Sequence, residues 1–110
     1  MTKEGVSEAV LSALADLDHA FDAALSAIDA DPDHNRAYSG ATELVETLRR
    51  LFEASADQRA LAAARIFEQE RMSLAGLADR IGVSKARAAQ LIKTAKDANE
   101  QRGNATEGNR

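Results

Sequence analysis

Between Arg71 and Lys96 the side chains that can do chemistry are mostly donors, with six of the 14 lysines and arginines against one of the 18 carboxylates. Ser84, Lys85, Ala86, Ala89 and Gln90 fall at the spacing of one helical face. A glutamine amide pairs bidentately with adenine, a lysine reaches guanine or phosphate, and alanine methyls pack on the thymine methyl, so this set can read base edges. Arg71, Arg80, Arg87, Lys93 and Lys96 supply the charges that hold phosphates, contacts that position without specifying. The ordinary alternative for such bases is a solvated helix face, and Arg87 has the further option of pairing with Asp79 or Glu70.

Other chemistries find less support. Asp29, Asp31 and Asp33 have the spacing that opens a calcium loop, but such a loop needs glycine at its sixth position and glutamate at its twelfth, where this chain has His34 and Gly40. Helix punctuation explains that triplet better. His19 and His34 stand on different elements, and Asp18 and Asp22 have no nucleophile or glycine-rich phosphate loop beside them. With no cysteine, thiolate metal sites and disulfides are excluded. The expectation is a protein that is not an enzyme and has neither metal nor cofactor. Scarce aromatics also argue against a pocket for a small effector.

Helices must position these residues. Of 110 residues, 24 are alanine and eight are valine or isoleucine, a composition rich in helix formers and poor in sheet formers, so the fold class is all-α. From about Val6 to Ala30, Val10, Leu14, Leu17, Phe21, Ala24 and Ile28 alternate in steps of four and three, an apolar seam opposite an acidic face. Asp31-Pro32-Asp33 stops that helix and begins a second, with Asp31 as cap and Pro32 in the first turn. The second runs to about Ala54 and carries Tyr38, Ala41, Val45, Leu48 and Phe52. Gly40 is a weak point in it, or a place of close backbone approach. Ser55 with Gln58 reads as a capping box, so a third helix is expected from there to about Arg71, burying Leu61, Ala64 and Ile66 or Phe67. The short connection favours an antiparallel hairpin of the first two helices.

From Ser73 to Ile92 the residues meet the requirements of a helix-turn-helix. Ser73 caps a helix of about two turns, Ala78 is small where two helices cross, and Gly82 supplies the positive φ of the turn. Ser84 caps the next helix, and Ile81, Val83, Ala88 and Leu91 form the wedge between them. The stretch Gly82-Val83-Ser84-Lys85-Ala86-Arg87-Ala88-Ala89-Gln90-Leu91 resembles the helix-turn-helix of bacterial transcription regulators, and in particular the promoter-reading region 4 of sigma factors. That resemblance implies DNA binding in bacterial transcription, with a recognition helix at about 84–96 in the major groove. It covers the last third of the ordered chain, or half with residues 57–71, and leaves out the acidic hairpin. Ala86 and Ala89 stand where sigma-like helices often carry long polar side chains, so a sigma factor's promoter specificity is not carried over.

Charge is segregated in the same way. The net −4 combines −7 over residues 1–35 with +5 over residues 71–96. Two helices with two apolar stripes bury little on their own, so Val10, Leu14, Leu17, Phe21, Ile28, Leu48 and Phe52 are expected to join two copies in a homodimer; a monomer whose hairpin packs on residues 57–92 is the simpler alternative. The expected organisation is an acidic hairpin at 1–54, a helix-turn-helix unit at 55–97 and a disordered tail at 98–110. The expected partners are double-stranded DNA and a second copy, with no membrane and a cytoplasmic, nucleoid-associated location. The alternative is an adaptor whose acidic helices dock on a protein of the transcription or partition machinery.

Overall fold

The computed structural model describes residues 5–108, and among them it holds four α-helices and no strand: α1 (Glu8–Ala30), α2 (His34–Gln69), α3 (Leu74–Ile81) and α4 (Lys85–Gly108). The all-α expectation is met. No helix among the described residues is long and apolar enough to cross a membrane.

Ser7 starts α1, its Oγ accepting from the Val10 N–H at 3.2 Å. Asp31 ends it in extended conformation, as a residue before proline must, and still donates its N–H to the Ile28 carbonyl. The cap of α2 differs from the sequence expectation. Asp33, not Asp31, accepts from the free amides of the first turn, Asn35 at 3.0 Å and Arg36 at 3.2 Å. Pro32 therefore precedes the cap instead of occupying the first turn. Asp31 accepts from the Asp33 N–H and takes the Arg36 guanidinium through Nε at 2.7 Å and Nη2 at 2.8 Å, which holds its carboxyl below the ordinary 3.8.

α2 also overrides the expected break after Ala54. It continues to Gln69 because nothing between Ala54 and Ala60 is a glycine or proline, and the Ser55 hydroxyl donates back to the Leu51 carbonyl at 2.7 Å instead of capping a new helix. A Ser-x-x-Gln motif marks a helix start only where the backbone before it has left the helix. α4 likewise passes Asp97, where a tail was expected, and reaches Gly108. Asn99, Glu100 and Gln101 are all compatible with a helix, and a lone Gly103 costs about 1 kcal/mol without forcing a stop. Residues 109 and 110 of the expected tail lie outside the described residues.

The chain divides into two compact units, Met1–Arg49 and Arg50–Arg110. No described residue of the first unit is buried. Its half-covered positions are Ala24 and Ile28 on α1, Asp31 in the connection, and Ala37, Gly40, Ala41, Leu44 and Thr47 on α2, and a Cβ on Gly40 would lie 3.4 Å from the Ile28 side chain. Ile28 is thus a contact within the unit. Val10, Leu14, Leu17, Phe21 and Leu48 keep between 37% and 51% of their surface in water.

Among the described residues the second unit holds all the buried ones, and six of these nine are alanines. Ala60, Leu61 and Ala63 of α2 cluster with Leu91 and Ala95 of α4, while Leu77 and Ala78 of α3 cluster with Ala88 of α4; Ile81 packs against both groups. Side chains this small allow close helix approach, and a larger residue there must displace its neighbours. Ile66 and Phe67 are half-covered rather than buried, and Ala98, assigned to the tail by its sequence context, is buried. The turn between α3 and α4 is built on Gly82, at φ 72°, with the Val83 N–H donating to the Ala78 carbonyl at 2.9 Å.

Gly82→Ala should cost about 1 kcal/mol of unfolding free energy by chemical denaturation, purely from backbone strain, because a Cβ there would touch nothing within 4 Å. Gly40→Ala should do the opposite and stabilise by up to about 1 kcal/mol, since its Cβ arrives at contact distance in a helix. Leu77→Ala, at the largest fully buried side chain, should cost about 2–5 kcal/mol. The Asp31 contact to Arg36 contributes at pH above the unfolded carboxyl value and is lost as pH falls through the lowered folded value. A carboxyl NMR titration should place the Asp31 midpoint below 3.8, and Arg36→Gln should move it back up.

Candidate nucleic-acid interface

The first turn of α4 conflicts with the helix dipole, and that conflict points outward. Ser84 caps the helix conventionally, its Oγ accepting from the Arg87 N–H at 3.0 Å. The turn that follows has no acidic residue and instead carries Lys85 and Arg87. Cations at a helix N-terminus oppose the dipole by about 0.3–1 kcal/mol each, whereas an anion bound there is favoured by the dipole and the cations together. A local rule broken in this way is expected where a site has a task other than stability.

Behind this turn the wedge lies inward as the sequence expects: Ala88 and Leu91 are buried, and Ile81 and Val83 are half-buried. The opposite stripe of α4 is consequently free. Lys85, Ala86, Ala89, Gln90, Lys93 and Lys96 are all exposed, one face of a single helix carrying amide, methyl and ammonium groups. Ser84 is exposed as well, although its oxygen already serves the cap.

The remaining candidates have other attachments. Arg87 is half-buried, and its Nη1 donates to the Gln90 Oε1 at 3.0 Å; it pairs with neither Asp79 nor Glu70. Gln90 is thereby held in one orientation, while its second oxygen lone pair and its amide N–H groups remain for a bidentate contact. Arg80, in the last turn of α3, binds Glu70 through Nη2 at 2.6 Å, and that carboxylate holds the guanidinium even more firmly protonated. Arg71 sits in the turn after α2 with φ 48°, a left-handed conformation that costs a non-glycine residue about 1–2 kcal/mol. Arg71 and Arg80 therefore belong to elements other than the α4 stripe.

Sequence reasoning missed Arg59. It lies on the α2 segment whose continuation to Gln69 was not expected, and it lines a groove of about 300 Å³ together with Arg87. Only tertiary proximity brings these two arginines to one cavity, and residue spacing carries no signal of it. Comparison with protein-family models, with curated proteins and with solved structures finds no match for this chain.

Glu70→Gln should release the Arg80 guanidinium and raise the salt concentration needed to elute the protein from heparin. An unchanged elution point would place Arg80 off the polyanion-binding surface.

Proposed function

We propose that this protein is a sequence-specific, double-stranded DNA-binding transcriptional regulator, with α3, the turn at 82–84 and α4 acting as a helix-turn-helix of the bacterial type that the sequence resembles. The observation that carries the reading is the exposed stripe of α4, where base-reading and phosphate-binding side chains share a face that begins at an anion-favouring helix start. In this reading Ser84, Lys85, Ala86, Ala89 and Gln90 face base edges, while Lys93, Lys96, Arg71, Arg80 and Arg87 hold phosphates. The acidic segment at residues 1–35 repels the duplex and serves another purpose.

That purpose, we infer, is pairing of two copies through an N-terminal helical hairpin. The partly wetted side chains of Val10, Leu14, Leu17, Phe21 and Leu48 support it, as does Phe52 at 71% exposure, because burying a fully exposed side chain of this kind yields about 1.5–3 kcal/mol and covering what these still expose recovers a share of that. A dimer doubles the short reading surface and matches a palindromic site. The same seam also suits the adaptor reading, in which another protein of the transcription machinery covers it.

Three or four cations per protomer on phosphates should give a log–log salt slope of roughly −5 to −7 for a dimer, and an affinity indifferent to salt would exclude the DNA reading. Gln90→Ala should cost about 1–3 kcal/mol on the specific site and little on random duplex, whereas Lys96→Ala should weaken both alike. Light scattering of the full chain should report twice its 11.8 kDa, falling to the single mass in Leu14→Glu/Leu17→Glu. A chain that is monomeric without those changes would favour the adaptor.

A further inference from the structure

The groove of about 300 Å³ in the second unit has the size and lining of a small-ligand site. Ala63, Ile66, Ile81, Val83 and Leu91 make its wall apolar, and its charged lining residues are Arg59 and Arg87, with no carboxylate among them. Among the described residues no acid pairs with either guanidinium. The partner of Arg87 is the neutral amide oxygen of Gln90, a weaker acceptor than a carboxylate. An apolar trough with two uncompensated guanidiniums complements an amphiphilic anion, a hydrocarbon body ending in an oxyanion head.

We propose that this groove binds a small apolar monocarboxylate, its body against Ile66, Ile81, Val83 and Leu91 and its carboxylate on Arg59 and Arg87. The volume stands at the low end of ligand pockets, which suits a medium-chain or aromatic acid and leaves no room for a nucleotide or large cofactor. Arg87 links the groove to the exposed stripe of α4. A carboxylate that takes the guanidinium bidentately draws it from Gln90 and frees that side chain to reorient. An effect of the ligand on duplex affinity would rest on the DNA-binding reading above. Occupation of the groove does not rest on it.

The test uses the full chain without DNA and octanoate as the probe. Methyl NMR should show saturable shifts of Ile66, Ile81, Val83 and Leu91, together with a shift of the Gln90 side-chain amide. Octanol, which lacks the charge, and acetate, which lacks the body, should each bind at least roughly tenfold more weakly. Arg87→Gln and, separately, the surface change Arg59→Gln should each weaken octanoate severalfold, with helix content by circular dichroism showing that the variants are folded. Absence of saturation, octanol binding as tightly as octanoate, or affinity unchanged in folded Arg59→Gln would overturn the proposal. Shifts of the same methyls on raising protein concentration alone would mark the groove as a contact between copies and would overturn it too. Failure of any of these leaves the salt dependence of duplex binding untouched, so the two readings fail separately.

Discussion

Close packing of α3 on α4 is the constraint on which the C-terminal unit depends, and it is set by what is absent from a few side chains. Ala78 and Ala88 are buried at 6% and 0% exposure beside Leu77, and Gly82 takes the left-handed turn that sends the chain from one helix into the other. With those positions inward, helical geometry leaves Lys85, Ala86, Ala89, Gln90, Lys93 and Lys96 no choice but to face water. The core thus selects which residues can be read from outside. The same small residues limit how much apolar surface the unit buries, and stability rests on three leucines and their half-covered neighbours.

Electrostatics divides the chain along its length. The acidic first segment at −7 and the basic stretch from Arg71 to Lys96 at +5 are opposed charges that the net −4 conceals. In the basic stretch some cations are committed internally, Arg80 to Glu70 and Arg87 to Gln90, while Lys85, Lys93 and Lys96 are exposed. This separates groups that can contribute to counterion release at once from groups that must first exchange a partner. Arg87 is the more consequential of the two, because it touches both the groove and the side chain best suited to read adenine.

Local signals in the sequence were legible where the chemistry is local. Ser73 and Ser84 accept from the amides of Gly76 and Arg87, and Gly82 has positive φ, each governed by residues within one helical turn. The outward stripe of α4 followed from knowing the inward wedge. What was not legible depended on context. Asp31 and Asp33 are equally good caps by type, and Arg36 decides between them by capturing Asp31. Ser55 looks like a helix start, but in a backbone already helical its hydroxyl turns to the Leu51 carbonyl. Burial of Ala98 and the presence of Arg59 and Arg87 along one groove come from tertiary placement, which no periodicity of three or four residues encodes.

The central claim is that the exposed face of α4 reads duplex DNA and does so in paired copies. Selection of bound sequences from a pool of random duplexes, using the full-length chain, tests both halves at once. The account predicts enrichment of a short motif repeated with two-fold symmetry, its half-sites one helical turn or a whole number of turns apart, and loss of the preferred base in a Gln90→Ala selection. A pool that shows no enrichment over successive rounds would contradict it.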